Sequence, residues 1–256
     1  MKKITIQDIK NFKNSSSPFA ALTAYDFNTA QILDDANIPL ILVGDSASMT
    51  IYGYNTTIPV SMDEMLLITR SVCRGSKHAL IVADMPFLSY QPSVEETIKN
   101  AGLFMKDAGV GAIKLEGGKH VAPNIKALVD CGIPVMGHVG LTPQSFHQMS
   151  GYKIQGKTPT DAQKIIDDAR AVESAGAFSL VLECIPNSLA ENITKKLTIP
   201  TIGIGSGNNC DGQIQVFHDI MGLLKTTPPK HAKCYDDLYD TMLNIVKTYK
   251  QDIEKS

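Results

Sequence analysis

Short runs of continuous apolar residues recur along the chain, and each ends in glycine or a polar side chain. They read LILVGDS from Leu40, ALIVADMPF from Ala79, AIKLEGG from Ala112, PVMGHVG from Pro134, LVLECIP from Leu180 and TIGIGSG from Thr201. Unbroken Val, Ile and Leu content is the mark of strands covered on both faces. An earlier strand at FAALTAYD from Phe19 and a last one near Gln215 to His218 bring the number to eight. The segments between them have helical period and legible starts. Ser61, Ser93, Thr158 and Ser188 each precede an acidic residue by three positions, the spacing of a capping box. After Thr158, Pro159 takes a first helical position and Ala162, Ile165, Ile166, Ala169 and Val172 share one face. Gly75, Gly109, Gly132 and Gly176 follow such stretches as left-handed stops. A final amphipathic helix spans Tyr235 to about Lys250, with Leu238, Met242, Ile245 and Tyr249 inward.

Strand and helix therefore alternate through eight units, which predicts the α/β class and a (β/α)8 TIM barrel forming a single domain over residues 1–256. The rival, a doubly wound open sheet, lacks a G-x-G-x-x-G after its first strand.

Composition narrows the function. The chain has 256 residues, 43% hydrophobic, with formal charge −2 and both signs interspersed. No electrostatic footprint for nucleic acid or an acidic membrane surface is present, so a small-molecule partner is expected. The five cysteines, Cys73, Cys131, Cys184, Cys210 and Cys234, are widely spaced and lack C-x-x-C, which reads as reduced thiols. With no apolar stretch near the roughly 20 residues of a membrane span and no secretory h-region at the start, the expected location is the cytoplasm.

Barrel enzymes build their sites where the strands end. Asp45, Asp84, Lys114, Glu116, His138 and Glu183 all fall there. Lys114 and Glu116, two apart on a strand, share the inward face while Leu115 points at the helices. Alone, that pair also reads as an internal salt bridge. Asp45 and Asp84 are each common as turn caps, but together they offer hard oxygen ligands on adjacent strands, a pattern suited to Mg²⁺. Glu116, one strand on, is a third metal candidate, direct or through water. His138, without a second histidine at ligand spacing, is expected to make a polar contact to substrate. Glu183, between Leu182 and Cys184 in a partly apolar mouth, is the candidate general base; a salt bridge to Lys114 is the competing reading. Gly203 to Gly207, GIGSG, suits either a phosphate cradle or close approach of backbone.

The strings LTAYD (Leu22 to Asp26), VGDS (Val43 to Ser46), KLEGG (Lys114 to Gly118), GLTPQS (Gly140 to Ser145), QGK (Gln155 to Lys157) and CDGQ (Cys210 to Gln213) resemble the ketopantoate hydroxymethyltransferase family, in order, from about Leu22 to Tyr235. The resemblance implies a TIM barrel that makes 2-dehydropantoate for pantothenate synthesis from 3-methyl-2-oxobutanoate and 5,10-methylenetetrahydrofolate. It further implies Asp45 and Asp84 as Mg²⁺ ligands, Glu183 as proton acceptor, Ser46, Lys114 and Glu116 as substrate-site residues, and a homo-oligomer, commonly a decamer. A 2-oxo acid chelating Mg²⁺ through keto oxygen and carboxylate would lose its C3 proton to a stabilised enolate, so the implied roles are chemically coherent.

The chain departs from the family pattern at Ala47-Ser48-Met49, where Leu-Gly-Met is usual, and at His231, where phenylalanine is usual. Two other readings stay open: a related Mg²⁺-dependent 2-oxo-acid barrel of the isocitrate lyase or phosphoenolpyruvate mutase kind, and a non-enzymatic metabolite-binding barrel.

Overall fold

The computed structural model describes residues 2–227 and 229–255. After α1 (Ile6–Asn11), eight strands follow: β1 (Phe19–Thr23), β2 (Leu40–Val43), β3 (Leu80–Asp84), β4 (Ala112–Glu116), β5 (Val135–Gly140), β6 (Ser179–Glu183), β7 (Thr201–Ile204) and β8 (Gly212–Gln215). They close into a barrel in chain order, each parallel to the next, the TIM-barrel architecture. Between them run α2 (Phe27–Asp35), α3 (Ala47–Thr50), α4 (Met62–Gly75), α5 (Val94–Leu103), α6 (Ala122–Asp130), α7 (Phe146–Met149), α8 (Pro159–Ser174) and α9 (Asn187–Lys196); α10 (Phe217–Ile220) and α11 (Leu238–Glu254) come last. Two compact units result, Met1–Ile214 and Gln215–Ser256. No described helix is long and apolar enough to cross a membrane, and the five cysteines are free thiols.

Strand alternation sorts the interior. Leu40 and Leu42, Leu80 and Val82, Ala112, Met136, Val181 and Ile202 all belong to one buried apolar cluster inside the barrel. Ile9 of α1 joins it, at the end where strands begin, since the Ile4 amide donates to His78 O just ahead of β3. Continuing by two residues along the same inward face gives Asp84 after Val82, Lys114 and Glu116 after Ala112, His138 after Met136 and Glu183 after Val181. The floor of the barrel is thus apolar, and its C-terminal mouth is charged.

The helix starts follow local chemistry. Ser61 and Glu64 form a complete capping box on α4, while Ser93 and Thr158 cap α5 and α8 through their side chains. Pro159 opens α8, whose Ile165, Ile166, Ala169 and Val172 are buried. Gly109, Gly132 and Gly176 are left-handed stops.

Five expectations are corrected. Ser188 does not cap α9; the helix starts at Asn187, two residues earlier than such a cap would place it, with Pro186 O accepting from the Leu189 and Ala190 amides. Gly75 is no left-handed stop but the last residue of α4, where a Cβ would lie 2.4 Å from Phe27 O, so its role is to let α4 approach α2. The last strand ends at Gln215, and His218 lies in α10; β8 instead uses Gly212, whose missing side chain leaves room for the Phe19 ring. No helix separates β7 from β8. The fifth concerns α11: Met242, Ile245 and Tyr249 are exposed at 56%, 63% and 68% and Leu238 is half-buried.

Candidate active site

Register places the charged residues beside one another at the mouth. Asp84 pairs with Lys114 across β3 and β4, Glu116 with His138 across β4 and β5, and Gly140 with Glu183 across β5 and β6. Lys114 Nζ lies 2.8 Å from Asp84 Oδ1 and 3.6 Å from Glu116 Oε1. His138 stands between two carboxylates, with Nδ1 3.4 Å from Glu116 Oε1 and Nε2 3.1 Å from Glu183 Oε2. Asp45, just past β2, donates its amide to Asp84 Oδ2 at 3.3 Å. All of these side chains are buried except that of Glu183, which is 16% exposed and faces the opening. Glu183 therefore meets His138 rather than Lys114.

Burial of so many charges shifts their protonation. Burial raises Asp45 well above the usual carboxylate range, with the neighbouring Asp84 and Glu116 adding to it. Asp84 is raised by burial against the opposing pull of Lys114. Burial would raise Glu116 too, but Lys114 and His138 outweigh it and hold it low. Burial disfavours the Lys114 ammonium, and Asp84, Glu116 and Asp45 more than compensate, so it stays charged. For His138, burial and Lys114 oppose protonation, yet the hydrogen bonds to Glu116 and Glu183 carry its pKa up to about 9. The ring thus stands between two carboxylates, with Lys114 Nζ also 3.3 Å from Nδ1, so its tautomer and charge follow these neighbours.

Asp45, Asp84 and Glu116 each offer an oxygen within 4.8 Å of the others. Asp84 Oδ1 and Glu116 Oε1 are buried and lack a hydrogen-bond donor with proper geometry, the Lys114 ammonium at Asp84 being a charge contact only. Four acidic side chains, those of Asp45, Asp84, Glu116 and Glu183, face the Lys114 ammonium and the His138 ring. Hard oxygen donors, an acidic excess and orphaned buried oxygens all fit a divalent cation.

Two residues outside the predicted set complete the site. Gln144, from the loop after β5, donates through Nε2 to Asp45 Oδ2 at 2.9 Å and Met85 O at 2.8 Å, and its amide donates to Glu116 Oε2 at 3.1 Å. The Tyr90 hydroxyl lies 2.8 Å from Gln144 Oε1 and 3.0 Å from Glu116 O, either of which can take its one proton. Gln144 lies within the GLTPQS string, which was the only sequence signal for it; Tyr90 had none. Ser46 Oγ is 2.7 Å from the Tyr25 hydroxyl. In the GIGSG segment Ser206 donates to Leu182 O, and Gly203 and Gly207 sit where a Cβ would strike Cys210, Gln213 or Asn187. Close backbone approach thus accounts for glycine at both positions.

Charged side chains gathered at the C-terminal mouth of an eight-stranded barrel define a barrel enzyme. More particularly, the chain belongs to the ketopantoate hydroxymethyltransferase family, whose model matches residues 3–256, and is thereby an enzyme of the transferase class. The 3-methyl-2-oxobutanoate hydroxymethyltransferase of Dehalococcoides mccartyi is 52% identical over 253 residues, covering 99% of this chain and 90% of the relative. The protein of that name from Geobacter metallireducens is 50% identical over 254 residues, covering 99% and 95%. Among solved structures, the phosphoenolpyruvate phosphomutase of Streptomyces platensis subsp. rosaceus superposes with a TM-score of 0.66 at 10% identity, over 98% of this chain and 88% of that one. That likeness is one of fold.

Proposed function

We propose that this protein transfers the one-carbon unit of 5,10-methylenetetrahydrofolate to 3-methyl-2-oxobutanoate, giving 2-dehydropantoate and tetrahydrofolate in pantothenate biosynthesis. Family membership supports the reaction, and the observation that carries the mechanism is the Glu183 carboxylate, partly open to the mouth and 3.1 Å from the His138 ring. Glu183 takes the proton from C3 of the bound oxo acid. His138, with Glu116 on its other side, stands 3.1 Å from that carboxylate and orients it. Lys114, already charged and close to Asp84, offsets negative charge that develops on the substrate oxygens. The nucleophilic C3 then forms a bond to the folate methylene carbon, the carbon–nitrogen bonds to folate break, and water supplies the hydroxyl oxygen. Asp45, Asp84 and Glu116 would hold Mg²⁺, which when bound supplies Lewis-acid polarisation of the oxo acid. Gln144 and Ser46 hold the surrounding carboxylate and loop in place. A cytoplasmic setting agrees with the free thiols.

The test is proton NMR of 3-methyl-2-oxobutanoate in D₂O. Mg²⁺-dependent loss of the C3 proton, followed by 2-dehydropantoate once methylenetetrahydrofolate is added, is the expected result. Exchange without transfer would assign a sister 2-oxo-acid enzyme, and absence of exchange would remove the Glu183 mechanism.

The protein also works as a homo-oligomer on this reading, with a decamer the family form. The apolar face of α11, with Met242, Ile245, Val246, Tyr249 and Ile253 each more than half exposed, supports it. Sedimentation velocity is expected to show a species well above monomer mass; a monomer at micromolar concentration would refute it.

A further inference from the structure

Several large apolar side chains that the barrel leaves exposed stand on the loops that follow its strands. Met49, Ile51 and Tyr54 come after β2, Leu88 after β3, and Tyr152 and Ile154 after β5. Two of these loops touch. The Tyr152 hydroxyl lies 3.6 Å from Met49 Sδ, and because β2 and β5 are three strands apart round an eight-stranded barrel, that contact reaches across the mouth. Phe146 backs the Tyr152 ring at 5.1 Å between centroids. Burial raises the Tyr152 hydroxyl, with Asp45, Glu183 and Glu116 adding to the effect, which agrees with a ring overhanging the charged site.

The backbone presents this ring deliberately. Ser150 and Gly151, at φ 55° and 97°, turn the chain just ahead of Tyr152 through consecutive left-handed residues. Beyond it, the Gln155 amide donates to Cys184 O at 2.8 Å, tying the loop to the residue after Glu183. Lys153 and Lys157 follow Tyr152 on the same segment and are exposed, and among the described residues neither has a carboxylate partner. An aromatic and thioether surface beside two unpaired cations fits a ligand that is planar and aromatic at one end and anionic at the other.

The proposed reaction brings in one ligand of that chemistry. The oxo acid lies on the charged cluster with the apolar floor beneath it, so the one-carbon donor approaches only from the mouth. We propose that residues 146–157 and Met49 form the folate subsite: the pteridine ring packs against Tyr152 and Met49, with the glutamate carboxylates toward Lys153 and Lys157. This inference rests on the function proposed above.

The experiment is isothermal titration of the full-length protein, loaded with Mg²⁺ and 3-methyl-2-oxobutanoate, with 5-formyltetrahydrofolate as a stable reduced-folate probe. Tyr152→Ala is expected to weaken the probe at least tenfold and Tyr152→Phe less than threefold, since the ring face supplies the contact. Lys153→Glu with Lys157→Glu is expected to weaken it several-fold, with the difference from wild type shrinking at high salt. Equal affinity in wild type and Tyr152→Ala overturns the subsite and leaves the reaction standing, whereas wild type that binds no reduced folate overturns both. A parallel, equal loss of 3-methyl-2-oxobutanoate affinity in Tyr152→Ala marks a collapsed mouth and overturns the assignment. So does a shift in oligomeric state with folate affinity unchanged, which would make the rim a subunit contact.

Discussion

Glu183→Gln lowers the rate of C3 proton exchange in 3-methyl-2-oxobutanoate by about 10²–10⁴-fold, the range of a positioned general base, or roughly 3–5 kcal/mol of barrier. The amide keeps the size of the carboxylate and can still meet the His138 ring 3.1 Å away, but it has no basic site for the proton. Fold and oxo-acid binding are therefore retained while turnover falls. The decisive comparison is the deuterium exchange rate at saturating oxo acid beside the thermal unfolding curve of the same sample. A Glu183→Gln protein that exchanges at the wild-type rate would assign the proton transfer to another group. One that unfolds early would show that Glu183 holds the barrel end together.

Asp34→Ala has the largest expected effect on stability. The buried Asp34 carboxylate, at the end of α2, accepts from Ser76 Oγ at 2.6 Å and from the amides of Lys77, His78 and Ala79 at 3.0, 2.9 and 3.0 Å. It joins α2 to the segment that leads into β3. Alanine leaves those amides without their acceptor and costs about 3 kcal/mol, given 1.5–3 kcal/mol for a hydrogen bond to a charged group and incomplete additivity. For a chain of this size the melting midpoint then falls by ~6–12 °C. Burial acts to raise Asp34, but Ser76 and the three amides prevail and bring its pKa down to about 2, from 3.8 when unfolded. A depressed carboxylate stabilises the folded state above its unfolded pKa. The contribution, about 1–2 kcal/mol after solvent screening, is complete above pH 3.8 and lost as pH falls toward 2. Urea unfolding of both proteins at one protomer concentration checks this. The gap between them is expected to be full at neutral pH and to narrow between pH 4 and 2, and a gap independent of pH in that window would refute the charged-acceptor account.

The charged mouth was legible because strand alternation is strict. Once Ala112, Met136 and Val181 are inward, Lys114, Glu116, His138 and Glu183 must be inward too, and closure of the barrel brings them together. The helix caps at Ser61, Ser93 and Thr158 were legible for a similar reason, since each depends on residues three apart. Gln144 was not legible as a partner of Asp45, which lies 99 positions earlier and comes from another loop. Tyr90 was hidden in the same way, because loop paths have no period to read.

Sequence alone determined what depends on near neighbours and on periodicity: eight buried strands, the helices between them, the inward parity of the acidic, lysine and histidine side chains, and the family. Tertiary structure decided what depends on approach between distant segments. It paired Glu183 with His138 instead of Lys114, and it made Gly75 a contact with α2 instead of a helix stop. It also left the apolar face of α11 exposed in the chain by itself. An amphipathic pattern states that a face is to be covered, and only the packing of the remaining chain decides whether this molecule has anything to cover it with.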